Sequence, residues 1–223
     1  MTVAVVIPAL NEAATIASVV ARAKAFGTVI VVDDGSSDHT AACAAAVGAT
    51  VVSHQRNAGY DGALQSGFVA ASSIGAEIVV TLDADGQHDP DMLLQALKPI
   101  RDGRVDLVIG QRDVLPRVAE RLFSWYSRAR WGVRDPLCGL KVYSMELFRR
   151  HGRFDGTRSV GTELMIASLA SGARWQPIEV AIRPRADQPR FGGLLRANMR
   201  VLRALIIAVV AGIIGSDCMR RAP

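Results

Sequence analysis

The sequence predicts an α/β protein with a mostly parallel central sheet flanked by helices. Short runs of Val and Ile alternate with helical patterns through the first half of the chain. The connections are brief and end in Pro, Gly, Asn or Asp. Half of the 223 residues are hydrophobic and only 5 % are aromatic, a composition that suits strands buried on both faces. Alternation of strand and helix implies βαβ units with right-handed crossovers.

The elements follow in order. Val3–Ile7 is an apolar run ended by Pro8, and so a buried strand. Asn11 can cap a helix over residues 13–25. Val29–Val32 is the second strand, and Ser37 or Asp38 can cap a helix over Thr40–Ala46. Thr50–Ser53 is a short third strand, Gly59–Ser73 a helix, and Ile78–Leu82 the fourth strand. Pro90 opens a helix to Ile100, at a first-turn position that proline tolerates. Val105–Ile109 is the fifth strand. Beyond it the pattern is less regular. Arg117–Arg130 reads as a basic helix, Asp135–Lys141 as a loop, Thr162–Ser171 as a helix and Glu179–Ile182 as a short strand. Leu194–Ile214 reads as a long helix. The predicted organisation is one catalytic domain over residues 1–193 with a C-terminal amphipathic helix over 194–223.

Ligands of open α/β sheets bind beyond the carboxyl ends of the strands. The polar clusters fall there: Asn11-Glu12 after the first strand, Asp33-Asp34-Gly35-Ser36 after the second, Asp83-Ala84-Asp85 after the fourth and Gln111-Arg112 after the fifth. Residues two apart in a strand share a face, so Asp83 and Asp85 can approach one cation where the strand ends. Their hard oxygens suit Mg²⁺ or Mn²⁺, and Gln87 can add a neutral oxygen. Such a cation would bridge a diphosphate and offset charge on a departing nucleotide. The Asp33–Asp38 segment offers carboxylates to a base or ribose, and Gly35 lets the backbone approach closely.

Together these motifs resemble glycosyltransferase family 2, of the Rossmann-like GT-A fold, and within it the dolichyl- or polyprenyl-phosphate sugar transferases. The matching residues are Ile7-Pro8-Ala9-Leu10-Asn11-Glu12, Val32 through Thr40, Asn57-Ala58-Gly59-Tyr60 with Ala63 and Gly67, Leu82 through His88, Gly110-Gln111-Arg112, and Asp135-Pro136-Leu137-Cys138-Gly139-Leu140-Lys141. They run in order over residues 3–192. The resemblance implies donor contacts from Pro8, Ala9, Asn11, Glu12, Asp34, Gly35, Asn57, Asp83 and Ala84. It implies a metal held by Asp83, Asp85 and Gln87, with Asp85, Asp135, Arg112 and Glu163 as catalytic candidates. Arg121, Ser124, Lys141 and Arg190 would meet phosphate or acceptor. The expected donor is a nucleotide sugar, GDP-mannose or UDP-glucose, and the expected acceptor a polyprenyl phosphate. The chain departs from the family pattern twice. Gly59-Tyr60-Asp61-Gly62 stands where Gly-Lys-Gly is common, and Arg190-Phe191-Gly192-Gly193-Leu194 lacks the Ser-Lys of Arg-x-x-Gly-x-Ser-Lys.

The acceptor decides whether a base is needed. An alcohol needs one, and Asp135 and Glu163 are the candidates. A phosphate monoester is already an anion and needs positioning and neutralisation instead. The resemblance implies an inverting single displacement, without a nucleophilic Ser or Cys; Cys138 reads as a packed small residue. An alcohol acceptor, glycan or small molecule, remains the alternative. A nucleotidyltransferase would show a Gly-rich loop bearing Lys or Arg after the first strand, where this chain has Pro8-Ala9-Leu10-Asn11. A non-catalytic nucleotide-sugar binding module would not need the intact Asp83, Asp85 and Gln87.

The formal net charge of +5 is concentrated late, with eight arginines and two aspartates from Arg183 onward. Such an end attracts anionic lipid or phosphorylated substrate; no nucleic-acid-binding motif accompanies it. Arg196, Arg200 and Arg203 share one helical face, followed by an uncharged run over Ala204–Gly215. That run is short of the roughly 20 residues a membrane span needs, and fits a helix lying in the interface. Three dispersed cysteines and an N-terminus that starts directly as a strand are expected of a cytoplasmic protein, peripheral at the cytoplasmic face of the membrane.

Overall fold

The computed structural model describes residues 1–87, 90–181 and 198–210. Its seven strands are β1 (Val3–Ala9), β2 (Thr28–Asp33), β3 (Thr50–Ser53), β4 (Ile78–Thr81), β5 (Leu107–Arg112), β6 (Lys141–Ser144) and β7 (Trp175–Val180). They form one sheet in the order β3-β2-β1-β4-β6-β5-β7. Pairings β1–β2, β1–β4, β2–β3 and β5–β7 are parallel, whereas β6 runs antiparallel to both β4 and β5. The expected α/β architecture is therefore present, with one reversed strand that the sequence pattern did not disclose.

The helices are α1 (Ile16–Ala23), α2 (Thr40–Ala46), α3 (Gly59–Ser73), α4 (Leu93–Arg101), α5 (Val118–Trp131), α6 (Met145–His151) and α7 (Glu163–Ala170). Residues 198–210 form a further helix, α8. Period-two alternation along the strands feeds two cores. Val3, Val5, Ile7, Val29 and Val31 face α1, α2 and α4. Ala4, Val6, Ile30 and Val32 face α3 and the second-half helices, where Phe68 packs edge-on against Tyr143 (5.6 Å) and beside Phe154 (4.7 Å).

Several boundaries differ from the sequence reading. Asn11 does not cap α1. Its backbone is left-handed (φ 54), and its side-chain oxygen accepts from the Ser37 amide at 2.8 Å, so it ties two loops together. The fifth strand starts two residues later than predicted and carries Gln111 and Arg112 within it. Lys141, read as loop, opens β6, and α6 follows unforeseen. The last strand is Trp175–Val180 rather than Glu179–Ile182. Helix α8 packs Val201, Ala204 and Ala208 into the core, and Tyr126 Oη donates to the Ala208 carbonyl.

Candidate active site

The predicted clusters meet along one edge, at the carboxyl ends of β1, β2, β4 and β5. The first two are laced to each other. The Asn11 amide donates to Ser36 Oγ (2.8 Å), and the Glu12 amide to Thr40 Oγ1 (2.7 Å). Glu12 and Asp34 are buried, as are Ala9 and Ala84, while Pro8 is half-buried.

Asp34 has a structural task in this arrangement. Its Oδ1 accepts from the Ala58 amide (2.8 Å) and meets His54 Nδ1 (2.7 Å); its Oδ2 accepts from the Gly59 amide (2.9 Å). A carboxylate at orphan amides is stabilised there by the helix dipole. Asp34 thus caps α3 and shapes the Asn57–Gly59 turn, with Asn57 Oδ1 also accepting from the Gly59 amide. Gly35 (φ 78) lies against this turn, its missing side chain facing the Asn57 amide. His54 was not singled out from sequence; its other ring nitrogen contacts Ser66 Oγ at 2.9 Å.

Asp83 stands at the centre of the edge. Tyr60, at the start of α3, donates its hydroxyl to Asp83 Oδ1 at 3.2 Å. Burial, then the Asp83 charge, push the Tyr60 hydroxyl well above its ordinary value, so it stays a donor. On the other side lies Gly139, where a Cβ would sit 2.0 Å from Asp83 Oδ2. Only glycine leaves the carboxylate room. Asp85 Oδ1 accepts from the Gln87 amide (3.0 Å), folding the turn back on itself. Asp83 and Asp85 are each only partly buried, so their oxygens reach the surface of the edge. Two hard carboxylates with a fixed orientation fit a divalent cation completed by substrate oxygens, the usual arrangement for Mg²⁺ on nucleotides. Among the described residues no group of three acidic, His or Cys ligands gathers, here or elsewhere, so a cation at this edge would rest on the two carboxylates and on substrate oxygens.

Lys141 opens β6 opposite Thr81, and the loop before it carries Asp135, Cys138 and the Gly139 that lies against Asp83. The Lys141 expectation needs correcting. Its side chain is buried and donates to the Cys138 carbonyl at 2.6 Å, so it cannot reach an acceptor. Burial lowers its pKa, partly offset by Cys138, Asp135 and Asp83. Lys141 instead braces the loop carrying Gly139. Cys138 is buried, and burial pushes its thiol up to about 12, consistent with a packed, inert residue.

Arg112 and Asp135 neutralise each other. The guanidinium grips the carboxylate through Nε (2.6 Å) and Nη2 (3.0 Å), while the Arg112 and Leu137 amides donate to the same group. Glu120 lies 3.8 Å from Arg112 and also holds Arg117 at 2.6 Å. Four N–H donors on Asp135 leave it poorly placed as a base, and Arg112 is committed before any phosphate arrives. Arg121 is exposed and Ser124 half-buried on α5. Arg190 lies outside the described residues.

Glu163 is likewise not a free base. It accepts from Arg153 Nε (2.7 Å), the Gly156 amide (2.8 Å) and Thr157 Oγ1 (2.7 Å), with His151 at 3.3 Å. Burial alone would raise its carboxyl, but Thr157, Gly156, Arg153 and His151 hold it down to about 2. A depressed carboxyl stabilises the fold above its unfolded value and loses that contribution as pH falls through the folded one. Glu163→Gln is expected to retain transfer activity, and to lose the stability that wild type gains between about pH 2 and 4.5. Acid titration of unfolding by circular dichroism, beside an activity assay, checks both; loss of turnover with an unchanged acid profile would return Glu163 to the base role.

Comparison with known proteins supplies the context. The model of the family described as glycosyl transferase family 2 matches residues 4–152. The chain is 32% identical over 208 residues to an uncharacterized glycosyltransferase of Mycobacterium tuberculosis, spanning 88% of this chain and 93% of that one. It is 31% identical over 170 residues to the UDP-N-acetylglucosamine–dolichyl-phosphate N-acetylglucosaminyltransferase of Methanococcus voltae, spanning 62% and 68%. The crystal structure of glucosyl-3-phosphoglycerate synthase from Mycobacterium tuberculosis, in complex with Mn²⁺ and UDP-glucose, matches with a TM-score of 0.77 at 28% identity, over 93% of this chain and 78% of that one.

Proposed function

The chain belongs to glycosyl transferase family 2, and from that premise we propose that it moves a hexose from a UDP-sugar to a polyprenyl phosphate at the cytoplasmic face of a membrane. Asp83 and Asp85, with Gln87 beside them, would hold Mg²⁺ or Mn²⁺ at the donor diphosphate. When bound, the cation neutralises charge that builds on the departing nucleotide. Tyr60 and Gly139 fix the Asp83 carboxylate for that purpose. The turns around Asn11, Gly35 and Asn57 form the floor on which the nucleoside rests.

The observation that carries the acceptor class is the fate of the two candidate bases. Asp135 is gripped by Arg112 and Glu163 is held by four donors, so neither serves an alcohol well. A phosphate monoester needs no such base, because it attacks as an anion. The surface supports a lipid carrier. Val118, Leu122 and Trp125 expose one stripe of α5, and Met199, Leu202, Ile206 and Val210 one stripe of α8. Arg121, Arg128 and Arg203 are exposed on the same two helices. Apolar stripes bordered by arginines are the pattern of helices that lie in an anionic interface. No helix of the described residues is long and apolar enough to cross a membrane. In this reading residues 1–193 are the catalytic domain and 194–223 a membrane-facing appendage.

A second reading replaces the lipid with a small phosphorylated acceptor. It is favoured by the likeness to glucosyl-3-phosphoglycerate synthase, and it keeps the same donor chemistry.

Two measurements test the proposal. UDP-glucose with Mn²⁺, at about 100 times its Kd, is expected to stabilise the fold by about 2.7 kcal/mol. That corresponds to a Tm rise of about 5–10 °C for a chain of this size. GDP-mannose at the same concentration is expected to shift it less; the reverse order would reassign the base. Radiolabelled hexose should then pass to polyprenyl phosphate in preference to 3-phosphoglycerate. Independently, the double substitution Trp125→Glu with Ile206→Glu is expected to abolish co-sedimentation with anionic liposomes, while the UDP-sugar shift persists. Unaltered sedimentation would remove the membrane from the proposal.

A further inference from the structure

The departure Gly59-Tyr60-Asp61-Gly62 has a structural counterpart in the turn 155–161 between α6 and α7. Asp61 Oδ2 accepts from the Val160 amide at 3.2 Å, and its Oδ1 from the Gly161 amide. Those two amides belong to an unfavourable backbone. Arg158 (φ 57), Val160 (φ 58) and Gly161 (φ 72) are all left-handed, and for a β-branched residue such as Val160 that is a true outlier. The turn is organised from within by Asp155, which accepts from the Thr157 (2.8 Å), Arg158 (2.6 Å) and Ser159 (3.0 Å) amides. Its top rests on Tyr60, since a Cβ on Gly161 would lie 2.9 Å from that ring. Tyr60 in turn donates to Asp83.

We infer that Tyr60 and Asp61 are positioning residues that act as one latch: Asp61 pins the 155–161 turn over the Tyr60 ring, and Tyr60 so held fixes the Asp83 carboxylate. The inference rests on the proposed role of Asp83 toward the metal-bound donor.

The latch is sensitive to protonation, because Asp61 and Asp155 are two carboxyl groups in hydrogen-bonding contact. Burial first, and the Asp155 charge second, push the Asp61 carboxyl up to about 6, against the pull of the Gly161 and Val160 amides. Asp155 is the charge that faces Asp61 across the turn, and the Tyr60 hydroxyl stands between Asp61 and Asp83 in the chain of contacts. Arg153, His151 and Glu163 nearby are committed to one another. A raised carboxyl binds its proton more tightly in the closed form, so closure is favoured below the folded value and weakens as pH rises through it.

Hydrogen exchange of the peptide spanning residues 155–162 tests the latch directly, with rates corrected for the intrinsic effect of pH. Wild type is expected to be several-fold better protected at pH 5 than at pH 8. Asp61→Asn keeps one of the two acceptor oxygens and supplies a permanent donor for Asp155, so its protection should be the same at both pH values and lie between wild type at pH 5 and Asp61→Ala. Asp61→Ala should be unprotected at both. Equal wild-type protection at pH 5 and 8, or Asp61→Asn as open as Asp61→Ala, would overturn the latch. Mn²⁺ binding in the presence of UDP, followed by electron paramagnetic resonance, tests the link to Asp83. Tyr60→Phe keeps the ring under Gly161 and is expected to weaken Mn²⁺ binding about tenfold, the usual cost of losing a residue that orients a metal ligand. Wild-type affinity in Tyr60→Phe, with binding lost in Asp83→Ala, would sink the Tyr60 role alone. Wild-type affinity in Asp83→Ala would instead sink the metal assignment on which the inference stands.

Discussion

Asp85→Ala is expected to lower kcat/KM for sugar transfer by about 10³-fold, equivalent to about 4 kcal/mol of transition-state stabilisation. The size follows from what the carboxylate does. Sugar transfer leaves charge on the departing diphosphate, and groups placed where charge develops are worth about 10²–10³-fold each when removed. Asp85 follows a fully buried strand, and its neighbour Asp83 is held by Tyr60 and crowded by Gly139, so no other carboxylate of the turn can move in to replace it. The fold should be nearly untouched. The substitution removes the hydrogen bond from the Gln87 amide at 3.0 Å, worth about 1 kcal/mol at a partly buried position. That bond corresponds to about 2–4 °C of Tm. Initial rates across a Mn²⁺ titration, with thermal melts of the same preparations, separate the two effects. Full activity in saturating Mn²⁺ would end the assignment of Asp85 to the metal.

Much of this site was legible because parallel α/β topology turns a linear pattern into a place. Each βα connection leaves its polar residues beyond the carboxyl end of a strand. Asn11, Asp34, Asp83 and Gln111 could therefore be assigned to one edge from the order of apolar runs alone. What was hidden lay in contacts between distant segments. Strand β6 is four residues long and opens on a charged lysine, so its apolar run is too brief to register. Its insertion between β4 and β5 makes Lys141 a buried brace rather than a phosphate ligand. Tyr60 and Asp61 read as a helix start, since nothing in local sequence reveals the Asp83 carboxylate or the Val160 amide facing them. The same blindness applies to bases. A carboxylate in a loop or at a helix start looks available until the arginine that grips it is placed, and Asp135 and Glu163 both have such arginines.

Asp135→Asn puts that last point at risk in one experiment. Asp135 is 1% exposed and Arg112 21%, and the two share a bidentate contact. Burial alone would lower the Arg112 pKa, but Asp135 raises it overall, so the cation persists in the folded protein. Removing the negative charge leaves that cation partly buried, with Glu120 at 3.8 Å as its remaining partner. Breaking a buried pair from one side costs about 3–5 kcal/mol, because the other charge stays behind. A fall in Tm of roughly 10 °C or more is expected. Changing both partners at once, Arg112→Met with Asp135→Leu, should recover most of that loss, since the pair's attraction and its desolvation nearly cancel. A general base behaves otherwise. If Asp135 also took a proton from the acceptor, Asp135→Asn would in addition lose kcat with KM unchanged, and Arg112→Met with Asp135→Leu would restore the melt but not the turnover. The geometry favours a structural role alone: four N–H groups already occupy the carboxylate, and one must be displaced before it can accept a proton from substrate.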